Sequence, residues 1–240
     1  MYQNETDFNL SQSRYEAVPM AKTFLSQVFS WMFLALSISA VTAYYFGTDE
    51  SLRSYLFGET GITGLGWIVT LAPFGFVLLM SLGFQRLSVN AITLLFAAFA
   101  ILMGMSLSFI LVVYTAGSVF LTFAVTAGMF GIMAITGYTT QIDLSKFGSL
   151  MMMGLIGIII ASLVNMFMHS SRMDYIISFL GVVIFTGLTA YDVQKLKRIG
   201  AGVQTGAEST RKLAIMGAMT LYLDFINLFL FLLRFLGNRK

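Results

Sequence analysis

The stretch Leu87–Ile142 reads LSVNAITLLFAAFAILMGMSLSFILVVYTAGSVFLTFAVTAGMFGIMAITGYTTQI, 56 residues without a single charge. A helix crosses the hydrocarbon core of a bilayer in about 20 apolar residues. The run is too long for one crossing and fits two. Its softest point near the middle is Tyr114-Thr115-Ala116-Gly117-Ser118, where a turn is expected. Barrel strands would alternate polar and apolar residues over about ten positions. This run does not alternate, so the spans are helices.

Reading outward from it, charges punctuate the rest of the chain in the same way. Arg86 closes an apolar run from Thr60 to Gln85. A polar segment carrying Asp49, Glu50, Arg53 and Glu59 separates that run from another, Thr23 to Thr48. Downstream of Lys146 a fifth run goes from Phe147 to near His169. A sixth goes from Tyr175 to about Tyr191 and leads into Asp192. A seventh goes from Leu213 to Leu233, interrupted only by Asp224. The expectation is an all-α polytopic membrane protein. Residues 23–236 form one seven-helix domain and residues 1–22 a polar N-terminal tail. Gly200 to Thr210 reads as a flexible loop between spans six and seven.

Composition narrows the function classes. Of the 240 residues, 58% are hydrophobic and 10% charged, against about 25% charged in a soluble domain. So few charges cannot coat a water-soluble globule, and such hydrophobicity excludes a disordered chain. With no cysteine, disulfides, thiolate metal sites and thiol nucleophiles are excluded. A single His169 leaves no multi-histidine metal site. No cofactor is expected. The net charge of +3 is too small to suggest nucleic acid as a partner, and the lipid bilayer is the first partner implied.

Seven spans put the termini on opposite sides. The N-terminal tail and the loops after spans two, four and six hold nine of the 14 Lys and Arg residues, including Lys195, Lys197, Arg198, Arg211 and Lys212. The positive-inside rule then places the N-terminus in the cytosol and the C-terminus outside. Arg234, Arg239 and Lys240 pull the other way, and a re-entrant last segment would bring both ends inside.

Charged groups within a bilayer are costly and are functional candidates by default. Two acids qualify. Asp192 lies at the cytosolic end of span six, or inside it if that helix continues past Lys195. Asp224 lies near the middle of span seven. Arg86, at the end of span two on the same predicted side as Asp192, is the candidate counter-charge, although an arginine there also reads as a snorkelling anchor. Two carboxylates in a low dielectric cannot both ionise cheaply, so a pair would share a proton, and losing it would turn attraction into repulsion. The opened pair would offer oxygens to a cation. Two Asp alone make a weak, transient calcium site, which suits conduction better than storage. Tyr191, Tyr222 and Asn227 flank the acids as possible hydrogen-bond partners, with aromatic packing as the plainer reading. Ala127 and Gly131 form a small-xxx-small pair that would allow close helix approach. Met151-Met152-Met153 reads as lipid-facing or packing, and Asn165 as interhelical glue. His169 reads as a structural residue at a membrane boundary.

The segments Gly187-Leu-Thr-Ala-Tyr-Asp-Val-Gln-Lys-Leu-Lys and Leu221–Arg234, LYLDFINLFLFLLR, resemble spans six and seven of the transmembrane Bax inhibitor motif family, in particular its bacterial members. The resemblance implies six helices surrounding a central seventh and a di-aspartyl pH sensor falling on Asp192 and Asp224. It also implies an arginine, here Arg86, that binds one of these acids. The implied activity is a pH-sensitive calcium leak across the bacterial inner membrane, with calcium as the transported ion and no enzymatic chemistry. Some bacterial relatives carry an acid in the second span, and Thr60–Gln85 has none. The resemblance also implies an alternative, a regulatory partner that restrains a membrane-anchored AAA protease through the polar tail. An intramembrane aspartyl protease is a third reading. Tyr191-Asp192 fits its first motif, but Leu221–Asp224 lacks the glycines of its second. A retinal protein is excluded because Leu213–Leu233 holds no lysine. A rhomboid-type protease would need an intramembrane Ser–His pair, and His169 sits at a helix end.

Overall fold

A computed structural model describes residues 2–58, 61–203 and 206–240, with side chains described from residue 19 onward within these ranges. The side chains of most of the polar tail therefore lie outside the described residues. Eight helices follow in order: α1 (Tyr2–Thr48), α2 (Glu50–Leu56), α3 (Gly64–Gly83), α4 (Val89–Val113), α5 (Ala116–Thr139), α6 (Ser145–Met168), α7 (Ser171–Ala201) and α8 (Glu208–Leu236). A two-residue hairpin, β1 (Phe57–Gly58) with β2 (Gly61–Ile62), lies between α2 and α3. Among the described residues seven of the helices are long and apolar enough to cross a membrane, the first of them over Pro19–Thr48. The short α2 and the hairpin occupy the polar segment after span one.

Local chemistry sets the helix boundaries. The long uncharged run breaks at Tyr114-Thr115, where Thr115 accepts a hydrogen bond from the Ser118 amide and starts α5. Thr63, Ser88 and Ser170 cap α3, α4 and α7 in the same way, each satisfying an amide that the first helical turn leaves without a partner. His169 ends α6 in the left-handed region at φ 52°. Asn165 closes that turn by accepting from the Ser170 amide at 3.1 Å, so it works within its own helix end rather than between helices. The sixth span does not stop at Tyr191: α7 continues to Ala201 and carries Asp192 inside it.

Burial orders the helices from the centre outward. In α8, 67% of the most apolar stretch is buried, in α7 61%, and in α6 only 11%. The central helix α8 packs against α7, α1, α5 and α4, while α3 leans on α4 and α6 leans on α7. Met152 and Met153 of α6 face outward, as do Ile156, Ile160 and Leu163. Met151 turns inward and packs over Gly187. The outward apolar faces are those of a protein whose solvent is lipid.

Helices approach closely where glycine allows it. A Cβ on Gly104 of α4 would strike the Ser39 backbone and the Thr42 side chain on α1, and one on Gly137 of α5 would strike the Ala190 backbone of α7. Gly131 meets nothing and Ala127 is exposed, so the small-residue pair expected to join helices lies on an open face. Both its positions sit in an apolar helix, where lipid-facing and helix-facing glycines have the same sequence surroundings.

The chain after α8 docks on the turn between α4 and α5. The Thr115 amide donates to the Asn238 carbonyl and the Lys240 amide to the Val113 carbonyl, while Lys240 Nζ reaches the Leu111 carbonyl at 2.7 Å. The chain after α8 thus lies on the α4–α5 turn, at the end of the bundle opposite the α3–α4 turn and the α7–α8 loop. With its last residues on that turn, α8 runs the length of the bundle.

Candidate functional site: an acid pair between α7 and α8

The helices α7 and α8 run antiparallel as the two most buried elements of the bundle. Asp192 is 8% exposed and Asp224 is 5% exposed, and their side chains are in hydrogen-bond contact with each other. Carboxylates only accept, so a bond between two of them needs a proton on one. Oδ2 of Asp224 has no partner among the described residues. The positive charge that acts on Asp192 is Lys195, less than one turn along α7.

The depth follows from the helix bounds. Asp224 is 16 residues into α8, about 24 Å along its axis. Asp192 lies nine residues before the end of α7, about 13 Å from it. A hydrocarbon core of about 30 Å leaves both acids within the apolar layer of the bundle.

The structure does not gather the other candidate residues around the pair. Arg86 is exposed on the α3–α4 turn, held by its backbone amide to Gly83, and it makes no ion pair among the described residues. Tyr222, fully buried, puts its hydroxyl 2.7 Å from Ser39 Oγ of α1 and its ring edge-on to Phe99 of α4. Asn227 donates to the Leu223 carbonyl of its own helix. The Tyr191 ring covers Gly148 of α6 and lies under Lys195 Nζ. Tyr222 and Tyr191 are therefore packing and helix-joining groups, Asn227 bonds within its own helix, and their contacts lead to neighbours other than the acids. Asp192 and Asp224 face each other across one helix interface, and the flanking side chains point around the helices to other neighbours.

Among the described residues no group of three or more His, Asp or Glu could hold a metal ion. The pair can do two things chemically. It can hold one proton between two helices, and it can present carboxylate oxygens when separated.

The comparisons with known proteins give the family. Residues 21–240 match the family described as Inhibitor of apoptosis-promoting Bax1. The chain belongs to that family. It is 46% identical to the inner membrane protein YbhL of Escherichia coli K12 over 220 residues, 91% of this chain and 93% of the relative. It is also 46% identical to a protein of Borreliella burgdorferi over 97% of this chain and 98% of the relative, and 43% identical to protein RP147 of Rickettsia prowazekii over 91% of each. The Bax inhibitor family match spans all seven apolar helices, with α7 and α8 and both acids inside it.

Sequence reasoning missed several groups that build the site's surroundings. Ser39 receives Tyr222 and itself donates to the Ala100 carbonyl at 2.7 Å. Gln194 and Arg198 tie α7 to the α5–α6 turn. Gln194 was visible as a neutral polar residue two positions beyond a buried acid; Ser39 left no signal in an apolar run.

Proposed function

We propose that this inner-membrane protein is a pH-sensitive calcium leak, gated by the Asp192–Asp224 pair, with its N-terminus in the cytosol and its C-terminus outside. The observation that carries the reading is the contact of two buried carboxyl groups on the two central helices. With one proton shared, the contact holds α7 against α8. When the proton leaves, two like charges remain in a low dielectric and the helices are driven apart. Separation exposes carboxylate oxygens, the ligands calcium prefers. Two carboxylates bind it weakly enough to let it pass. The E. coli relative's name as an inner membrane protein supports the location. In this reading Arg86 serves the opened state. It sits on a turn at the end of the bundle where α7 terminates, and it pairs with a freed carboxylate only after the pair has parted. No enzymatic step is assigned to the pair.

Calcium influx into liposomes holding the purified protein, followed from about pH 6 to about pH 8, tests this reading. Influx that rises with pH in the wild type and is flattened by Asp224→Asn is the expected result. No influx at any pH from folded, inserted protein overturns the leak. It would leave restraint of a membrane-anchored AAA protease through the N-terminal tail as the reading to pursue.

A further inference from the structure

Asp192 sits in a short segment of α7 whose Leu196 packs over Gly217 of α8 and whose polar side chains beyond the acid reach the α5–α6 turn. Two residues beyond it, Gln194 is 6% exposed. Its Oε1 accepts from the Leu144 amide at 2.9 Å and its Nε2 donates to the Ile142 carbonyl at 2.7 Å. The side-chain amide thus spans the α5–α6 turn and satisfies one donor and one acceptor that a turn leaves open. One helical turn on, Arg198 Nη2 donates to Gln194 Oε1 at 2.8 Å and to Asp143 Oδ1 at 2.7 Å, and Nη1 donates to Ser145 Oγ at 3.2 Å. Lys197 Nζ reaches the Tyr138 carbonyl at 2.6 Å and stands over the Tyr138 ring. On the membrane side of these contacts, the Ala190 backbone lies against Gly137 and the Tyr191 ring against Gly148.

We propose that Gln194 and Arg198 are positioning residues for the acid pair. With Asp143 they lock this segment of α7 to the α5–α6 turn, hold Asp192 against Asp224, and set the pH at which the two part. The flux side of this proposal rests on the leak reading above. From Asp192 to Arg198 is six residues, about 9 Å of continuous helix, so a displacement at the clamp is carried to Asp192 almost undiminished. Of the charged groups around the clamp, Asp143 comes from the α5–α6 turn, Lys195, Lys197 and Arg198 from α7, and Lys146 from the start of α6. Tyr138 comes from α5, Asp224 from α8, and exposed Lys22 from α1. Hydrogen bonds from Ser145 and Arg198 hold the Asp143 carboxyl well below the usual carboxylate range, so the clamp keeps its charge throughout the neutral range in which the leak reading has the acid pair exchange its proton.

Two measurements test it. The first is hydrogen exchange of the segment 187–193 in the full-length protein at one pH. Arg198→Gln and Gln194→Met are expected to speed exchange there several-fold while α4 amides keep their protection. Unchanged exchange in this segment overturns the proposal, whatever the flux does. The second is the pH profile of calcium flux. Both variants are expected to open at lower pH, by about half a unit or more, because a closed contact that is held less firmly parts with less repulsion. Asp143→Ala should do the same and Asp143→Glu should stay near the wild type. A midpoint unmoved in Arg198→Gln and Gln194→Met, or one that Asp143→Glu moves as far as Asp143→Ala, overturns it. A wild type with no pH-dependent flux defeats the leak reading instead, and the exchange result then decides the clamp by itself.

Discussion

Asp224 turns its carboxyl to Asp192 across the α7–α8 interface and leaves Oδ2 without a partner among the described residues. A buried carboxyl with a single partner is poorly satisfied, and in the leak reading a shared proton is what keeps it acceptable. Asparagine at either position supplies a permanent N–H donor to the facing carboxyl and removes one ionisable group. Asp192→Asn and Asp224→Asn are expected to keep the fold and to remove most of the change in calcium flux between about pH 6 and about pH 8. Liposome flux beside a thermal unfolding scan in detergent checks both halves. A steep pH profile surviving in both variants would end the role assigned to the pair.

Tyr222, two residues before Asp224 in sequence but on another face of the helix, belongs to a different network. Ser39 spends its only hydroxyl proton on the Ala100 carbonyl, so the Tyr222 hydroxyl is the donor to Ser39 Oγ. Tyr222→Phe removes that donor and leaves Ser39 bonded, at a cost of about 1 kcal/mol. Ser39→Ala strands the buried tyrosine hydroxyl and the Ala100 carbonyl's partner is lost, so it should cost more, about 1–3 kcal/mol. Neither change should move the pH profile of flux. Unfolding in detergent for the two variants gives the ranking. A pH profile displaced by Tyr222→Phe would return that hydroxyl to the acid site.

Asp143 provides a pH dependence of stability separate from the pair. Its carboxyl is held below the ordinary value of 3.8 by Ser145 and Arg198. The native state therefore binds its proton less readily than the unfolded chain does. The stabilisation is complete above the ordinary value and disappears as pH falls through the lowered native value. Below about pH 4 the protein should lose melting temperature, and Asp143→Asn should have a smaller loss over the same interval. The group is exposed, so the effect is small and weakens with salt. Melting curves at descending pH in low and high salt would show it. Equal slopes for the wild type and Asp143→Asn would remove Asp143 as a contributor.

The same contrast between neighbouring residues explains what the sequence made legible. Span number and ends followed from hydropathy, because a charge such as Arg86 or Lys146 cannot stay in hydrocarbon and marks a boundary wherever it occurs. Asp192 and Asp224 were legible for the same reason. Their contact was not, because the pitch of each helix does not say how two helices rotate against each other. Ser37 and Ser39 show the limit. Both lie in one apolar run, yet Ser37 bonds back to Phe33 of its own helix while Ser39 crosses to α4. In a helix whose every face is apolar, periodicity no longer separates the inside from the outside. Gly131 and Gly137 look alike in sequence on that account, although one faces open space and the other touches α7.

Gly137 is accordingly a position where one added carbon matters. Its Cβ would fall on the Ala190 backbone, two residues before Asp192, and backbone cannot rotate aside as a side chain can. Gly137→Ala should cost about 1–3 kcal/mol through overpacking, and Gly137→Val at least as much. Gly131→Ala, with nothing near its Cβ, should be neutral or slightly stabilising, since alanine favours helix. Thermal unfolding of the three variants in one detergent tests this. Equal melting temperatures for Gly137→Ala and Gly131→Ala would contradict the close approach of α5 and α7.

The docking of Asn238–Lys240 on the α4–α5 turn predicts which sites share a side of the membrane. With no native cysteine, single cysteines report without background. Gly117→Cys and Asn238→Cys lie together at one end of the bundle, since the Thr115 amide bonds the Asn238 carbonyl and the Asn238 amide bonds Ser118 Oγ. Gln85→Cys and Gly202→Cys lie at the other end, beyond α3 and α7. In intact cells a membrane-impermeant thiol reagent should label the first pair and reach the second only after permeabilisation, if the cation-rich loops lie in the cytosol as the positive-inside rule expects. The reverse pattern would keep the seven crossings and invert the orientation. Labelling that splits either pair would contradict the placement of the two pairs at opposite ends of the bundle.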